Sequence, residues 1–154
     1  MKLVVFTLCD KEYGVNISEV REVIRLRAIT RIPEVSNFVE GVIALRGAVI
    51  PLVNLRAKLG MEKSGILKSS RIIITQVDSH DVGLIVDSVS DVISLDPANI
   101  TPPDEMLKGA RYLVGVAKKG ERLIVIMDIG KLFSDDISSD IQKVHERVEI
   151  RHRR

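Results

Sequence analysis

The sequence consists largely of short apolar runs that are interrupted at close intervals by polar or glycine-containing turns. The runs are rich in Val, Ile and Leu, and aromatic residues make up only 3% of the chain. Branched aliphatic side chains favour strands, and short runs bounded by turn residues are typical of them. With 154 residues the chain is long enough for one domain, or for two very small modules that share a core. The pattern predicts an all-β fold.

Neighbouring runs are expected to pair as hairpins, because only a few turn residues separate them. In the middle hairpin the turn is Arg46-Gly47, where glycine supplies an unusual backbone angle. Helical spacing of Ile17, Val20 and Ile24 predicts a short helical turn, although residues 23–26 also fit a strand. Residues 56–60 predict another helical turn. The predicted strand pairs are residues 3–8 with 13–17, 42–45 with 49–55, and 71–77 with 82–86.

Pro51 lies inside the second strand of the middle hairpin. Proline has no N–H to donate to a sheet ladder, so it is found at sheet edges and bulges. This strand is therefore expected to lie at an edge of its sheet, or to be bulged at Pro51.

The two halves of the chain resemble each other when they are shifted by 69 or 74 residues. The extra residues fall in a proline-containing connection at 96–103. Two halves of about 70 residues, each with about five short strands, predict a duplicated small barrel, a closed form that removes most free edges. Matched pairs include Gly14 and Gly83, Val20 and Val89, Glu22 and Asp91, Gly41 and Gly115, and Asn54 and Asp128.

Motifs for catalysis and metal binding are absent from the sequence. The three histidines have no second His or Cys at metal-ligand spacing, and neither a phosphate-binding loop nor a nucleophile elbow occurs. Asp87 and Asp91 are expected to be surface charges, and the single cysteine, Cys9, a small buried hydrophobe. We therefore predict no enzyme activity, no catalytic residue, no cofactor and no metal site.

Composition also disfavours nucleic-acid and membrane binding. The net charge is only +2, and the five Phe and Tyr residues lie mostly in apolar runs, whereas a single-strand-binding barrel needs basic and aromatic side chains on one face. No apolar run approaches the ~20 residues of a membrane span, and the first residues do not have the pattern of a signal peptide. These features predict a cytoplasmic protein without direct membrane insertion.

Two charged residues stand in apolar surroundings. Arg46 lies at a hairpin tip between apolar strands, where the turn needs the glycine but not the arginine, and Arg is favoured at binding surfaces. Glu22 lies within the segment 20–24, among branched apolar residues. For Arg46 the alternatives are a binding residue or a solvated turn charge. For Glu22 they are an interface contact or an internal pair with Arg21 or Arg25.

Beyond Phe133 the pattern becomes helical, because apolar residues recur at spacings of four, three and four between charged ones. We predict an amphipathic helix and basic tail over residues 137–154. The helix is expected to cap the barrels, with partner binding or disorder as alternatives. The apolar positions are Ile137, Ile141, Val144 and Val148.

Residues 38–56, FVEGVIALRGAVIPLVNLR, resemble the signature of the CheW family. That signature is Phe, two variable residues, Gly-Val-x-x-Leu-Arg-Gly, an apolar strand with Pro, and Asn/Asp-Leu-Arg. The stretches 6–15, 18–24 and 83–92 agree as well, so that the resemblance covers about residues 3–135. One departure is Ala44, where the family commonly has Asn.

The resemblance implies a fold of two five-stranded SH3-like or OB-like barrels with partly exchanged strands. Residues 1–136 would be a single CheW-like domain of two pseudo-repeats, about 1–65 and 66–136, which are not cleanly separable. It also implies a non-enzymatic scaffold that binds the regulatory domain of a CheA-type histidine kinase and the cytoplasmic tip of chemoreceptors. By motif match, the partner-binding residues would be Arg46, Glu22, Val20 and Gly41.

Alternatives within the same fold are an adaptor of another two-component pathway, such as pilus or gliding motility, and a regulatory domain cut from a CheA-type or CheV-type protein.

Overall fold

A computed structural model describes residues 1–33, 35–62, 65–104 and 110–133 of the chain. It contains eleven strands in these residues, together with short helices and 3₁₀ turns. The strands are β1 Lys2–Leu8, β2 Lys11–Asn16, β3 Val20–Arg25, β4 Val39–Leu45, β5 Ala48–Asn54, β6 Arg71–Val77, β7 His80–Val86, β8 Ser88–Ser94, β9 Ile100–Thr101, β10 Leu113–Lys119 and β11 Arg122–Met127; the helices are α1 Leu55–Lys58 and α2 Ile129–Leu132, and the 3₁₀ turns are Ile17–Glu19 and Pro97–Asn99.

The strands form two sheets. Sheet I has six strands in the order β8-β1-β2-β11-β10-β9, and sheet II has five in the order β3-β6-β7-β5-β4. In sheet II the chain leaves edge strand β3 and reaches the opposite edge strand, where Thr30 bridges Val42 of β4. In sheet I the chain likewise leaves β8 and forms β9, which pairs with β10. In each sheet the chain therefore connects the two edges, as in a small barrel.

Strands are exchanged between the two halves of the chain. The N-terminal hairpin β1–β2 lies in sheet I beside strands of the second half, through an antiparallel pair with β8 and a parallel pair with β11. The hairpin β6–β7 lies in sheet II with strands of the first half, again through one antiparallel and one parallel pair. The predictions of an all-β fold, of duplication and of exchanged strands are confirmed.

The duplication extends to glycines where two segments approach closely. A Cβ on Gly41 would lie 2.2 Å from the carbonyl oxygen of Thr30, and one on Gly115 would lie 2.5 Å from that of Thr101. At each of these equivalent positions, the segment that follows an edge strand (β3 or β8) passes over the first strand of the next hairpin (β4 or β10). Only glycine leaves room for the crossing.

The buried apolar residues that the structure describes form four clusters. One lies within sheet I, one within sheet II, a small one lies at the edge strand β4, and the largest joins strands of both sheets with helix α2 and Phe133. Strand β6 shows how this arises, because Ile72 and Ile74 belong to the cluster of sheet II while Ile73 belongs to the joint cluster. Both faces of such a strand are buried, which explains the continuous apolar runs in the sequence.

The edge prediction for Pro51 is wrong. Strand β5 lies between β7 and β4, and Pro51 is buried opposite Val42. The N–H and carbonyl of Val42 bond instead to Thr30, at 2.8 and 2.9 Å, so Pro51 occupies a ladder position without hydrogen bonds to β4. Pairing with β7 begins only at Leu52. A missing N–H therefore costs nothing at this interior position.

Two further predictions are corrected. Cys9 is exposed rather than buried, because the apolar run ends at Leu8 and Cys9-Asp10 form the turn between β1 and β2, both with positive φ. Asp87 is not a solvated surface charge, since its carboxylate accepts hydrogen bonds from Arg56 and from the backbone N–H of Cys9. The predicted helix and tail at 137–154 lie outside the described residues.

Candidate functional site

Arg46 lies in the two-residue turn between β4 and β5. Its φ is 50° and that of Gly47 is 78°, as in a type I′ hairpin turn, which matches the twist of the strands. Asn, Asp and Gly are the residues that favour this left-handed conformation, whereas Arg gains nothing from it. The Arg46 side chain is 73% exposed. The turn thus holds a guanidinium out at the tip of the hairpin.

Glu22 lies on the edge strand β3, next to an irregularity of the β3–β6 register between Val20 and Glu22. Its two carboxylate oxygens accept hydrogen bonds from the two terminal nitrogens of Arg46, at 2.5 and 2.8 Å. This is the bidentate geometry for which a planar guanidinium is suited. The hydrogen bonds from Arg46 lower the pKa of Glu22 and raise the pKa of Arg46, so both groups are charged at neutral pH.

The ion pair borders a cleft of about 410 Å³ on sheet II. A second pair, Arg21 with Asp81 at 3.0 Å, lies on the same rim. Between the two pairs the lining is apolar. Protein-binding surfaces have a similar arrangement, in which a polar rim surrounds an apolar centre. The apolar lining residues are Leu45, Ala48, Ile50 and Ile74.

The structure brings together two of the four predicted site residues. Arg46 and Glu22 are in direct contact, whereas Val20 is half-buried against the joint cluster and does not line the cleft. Gly41 has a φ of +148° and lies under Thr30, so its backbone alone accounts for the glycine. A binding role for any of the four stays a prediction.

Other parts of the motif are structural. Asn54 accepts the N–H of Ala57 and so caps α1, and Leu55 is completely buried. Arg56 forms a bidentate pair with Asp87, in which its Nε lies 2.7 Å from Oδ1. These residues tie the end of β5 to the connection between β7 and β8.

Sequence reasoning missed Asp81 as the partner of Arg21, because a cross-strand pair depends on register. It left open an internal pair of Glu22 with Arg21 or Arg25, whereas the structure pairs Glu22 with Arg46. It also missed a related cluster on sheet I, where Arg122 contacts both Glu12 and Asp91 at 2.7 and 3.0 Å. The shift of 69 residues was the available signal, since it aligns Glu22 with Asp91 and also Glu12 with Asp81.

Within the described parts of the chain, no group of three or more His, Cys, Asp or Glu side chains is placed to hold a metal ion. No helix among these residues is long and apolar enough to span a membrane. The side chains that do converge are ion pairs around an apolar floor.

Such a surface, on two barrels with exchanged strands, defines a scaffold or adaptor that acts by binding. Residues 2–136 match the family model of the CheW-like domain, and the chain belongs to the CheW family. It is 34% identical over 137 residues to the chemotaxis protein CheW of Klebsiella aerogenes, covering 88% of this chain and 82% of that protein. It is 35% identical to a probable chemotaxis protein CheW of Rhizobium etli, and the match covers 87% of this chain and 88% of that protein.

A solved structure supports the same assignment. The crystal structure of the scaffolding protein TtCheW from Thermoanaerobacter tengcongensis superposes with a TM-score of 0.80 at 40% identity, over 88% of each chain. The family is one of non-enzymatic scaffolds, and the prediction that this chain is a scaffold rather than an enzyme is confirmed by its membership.

Proposed function

We propose that this protein couples the cytoplasmic tip of chemoreceptors to the regulatory domain of a CheA-type histidine kinase. It would act in the cytoplasm, at receptor arrays beneath the membrane, and without a cofactor. Support comes from membership of the CheW family over residues 2–136 and from relatives named as chemotaxis proteins.

The observation that carries the proposal is the conformation of Arg46. A left-handed turn residue is energetically favourable as Asn or Gly, and an Arg there costs about 1 kcal/mol of backbone energy. The Arg46 side chain is nevertheless largely exposed and is oriented by Glu22. A strained, exposed and pre-oriented guanidinium beside an apolar floor is the arrangement expected of a binding hot spot.

The surface suits contacts that form and exchange. The floor of the cleft is small, so a partner would bury on the order of 1,000 Å² or less in one contact. Two faces would be needed to hold a kinase domain and a receptor tip together.

The test is a binding titration of the full chain against the regulatory domain of its own CheA-type kinase and, separately, against a receptor-tip fragment. The variants are Arg46→Asn and Glu22→Gln. Arg46→Asn keeps a residue that favours the left-handed turn, so a loss of binding reports on the guanidinium and not on the hairpin. Arg122→Ala, which removes the related ion cluster on sheet I, is the matched control.

We expect saturable binding of both partners by the wild type. Arg46→Asn should weaken at least one of them about tenfold or more, the scale of a hot-spot loss, with the circular dichroism spectrum unchanged. Equal weakening by Arg122→Ala would argue against this cleft. Absence of binding to both partners would refute the coupling role and favour an adaptor of another two-component pathway.

A further inference from the structure

A second cleft lies at the other end of β3, where that strand ends and β6 begins. It has a volume of about 560 Å³. Glu22 and Arg25 are three residues apart on β3, which separates the two clefts by ~10 Å along the strand. The second cleft shares none of its lining residues with the first. They are Arg25, Leu26, Ile66, Leu67, Lys68, Ser70 and Arg71.

The charges of this cleft are of one sign. Arg25 is directly opposite Arg71 in the antiparallel β3–β6 pair, and like charges in this position destabilise a sheet. Lys68 adds a third cation, and none of the described residues that line the cleft is a carboxylate. Arg71 donates to the carbonyl oxygens of Lys68 and Ser70 at 3.1 and 2.8 Å, which fixes one guanidinium in place without neutralising it.

An apolar rim adjoins these cations. Ile66 is 58% exposed and Leu67 47% exposed, although both are large aliphatic residues. Their loop is ordered by reciprocal hydrogen bonds, because Leu67 N–H donates to Ser70 Oγ at 2.9 Å and Ser70 N–H donates to the Leu67 carbonyl at 3.0 Å. Ser70 itself is buried. The rim is therefore pre-organised, which lowers the entropy cost of binding.

We propose that this cleft binds an acidic segment of a partner protein, with carboxylates against Arg25, Lys68 and Arg71 and branched apolar side chains on Ile66 and Leu67. The partner would relieve the repulsion between the opposed arginines and cover the apolar rim. A free phosphate would do only the first. Single-stranded nucleic acid would need stacking side chains, and none of the described lining residues is aromatic. The proposal does not depend on the coupling function.

The test uses a fluorescein-labelled peptide of four Glu and two Leu residues, titrated with the full chain and followed by fluorescence anisotropy. Matched peptides replace both Leu by Ser, or all Glu by Gln. The protein variants are Arg25→Glu and Lys68→Glu. Lys118→Glu is the control, because it makes the same charge change at an exposed residue of β10 in the other sheet.

We expect the original peptide to bind saturably and each matched peptide to bind about fivefold or more weakly. Arg25→Glu and Lys68→Glu should weaken binding of the original peptide by a similar factor. Lys118→Glu should change it less than twofold. In two-dimensional NMR spectra the shifted amide signals should cluster at residues 65–71. No saturation up to 1 mM peptide would overturn the proposal. So would full competition by low-millimolar inorganic phosphate, or peptide binding that Arg25→Glu and Lys68→Glu leave unchanged.

Discussion

The two sheets place carboxylates at equivalent positions but neutralise them differently. In sheet I, Glu12 and Asp91 share one arginine, Arg122, which lies within strand β11. In sheet II, the equivalent Asp81 and Glu22 have separate partners, and the partner of Glu22 lies in a turn. The Arg122 side chain is 35% exposed, about half the value of Arg46.

The difference separates an ion cluster held between strands from the exposed ion pair that we propose as a binding site. Arg122 donates to two carboxylates at once, so each contact restrains the other. Among the described residues Arg46 pairs with Glu22, and its side chain faces solvent, so its remaining donors are accessible. The two halves carry acidic residues at equivalent positions, and the location of the arginine decides how exposed each ion pair is.

The largest contrast should appear at the paired glycines. In Gly41→Ala the new Cβ meets the Thr30 carbonyl at 2.2 Å and φ is +148°, while in Gly115→Ala the contact is 2.5 Å and the backbone is not left-handed. We expect Gly41→Ala to lower the free energy of unfolding by about 3 kcal/mol or more, and Gly115→Ala to lower it by about 1–2 kcal/mol. Urea titration measures both. Gly47→Ala is the control for backbone strain alone, because its φ is +78° and the new Cβ would meet no atom within 4 Å. Equal losses of stability for all three variants would contradict a steric clash at Gly41 and Gly115.

Removing the shared arginine should cost less. Arg122→Ala leaves Glu12 and Asp91 without their common cation, and we expect a loss of about 1 kcal/mol, because the cluster is partly exposed. The double variant Arg122→Ala, Asp91→Ala should recover part of it. An unchanged urea midpoint for Arg122→Ala would show that the cluster contributes nothing to folding.

A smaller effect should appear in acid. The hydrogen bonds from Arg122 lower the pKa of Asp91, so its carboxylate stabilises the fold above the unfolded pKa, and that contribution is lost as pH falls through the lower, folded pKa. Between pH 5 and pH 3 the wild type should therefore lose more stability than Arg122→Ala. Parallel pH dependences in urea titrations would contradict this.

The smallest effect on folding is expected at the Arg46–Glu22 pair. Arg46→Asn, Glu22→Gln and the double variant should leave the thermal midpoint nearly unchanged, since both groups face solvent and the turn gains a favoured residue. The same variants should weaken partner binding. A clear loss of stability in either single variant would show that this pair stabilises the fold as the Arg122 cluster does.

Much of the fold follows from the sequence because strands, turns and duplication are local or repeated patterns. Hairpin turns at Arg46-Gly47 and Asp78-Ser79 lie between the runs that predicted them. Register is not local, and so the partner of Arg21 and the interior place of Pro51 were not predictable. Arg46 and Glu22 were singled out by their apolar surroundings, but only the fold places them in contact across 24 residues.

The exchange of strands has a consequence for synthesis. All five strands of sheet II lie between residues 20 and 86, whereas sheet I needs residues 2–16 and also 88–127. A chain that grows from its N-terminus can complete sheet II while hairpin β1–β2 still lacks both neighbours. That hairpin then holds open edges and apolar faces until β8 and β11 have been made. A fragment carrying the missing strands, supplied separately, should be able to complete the molecule by strand complementation.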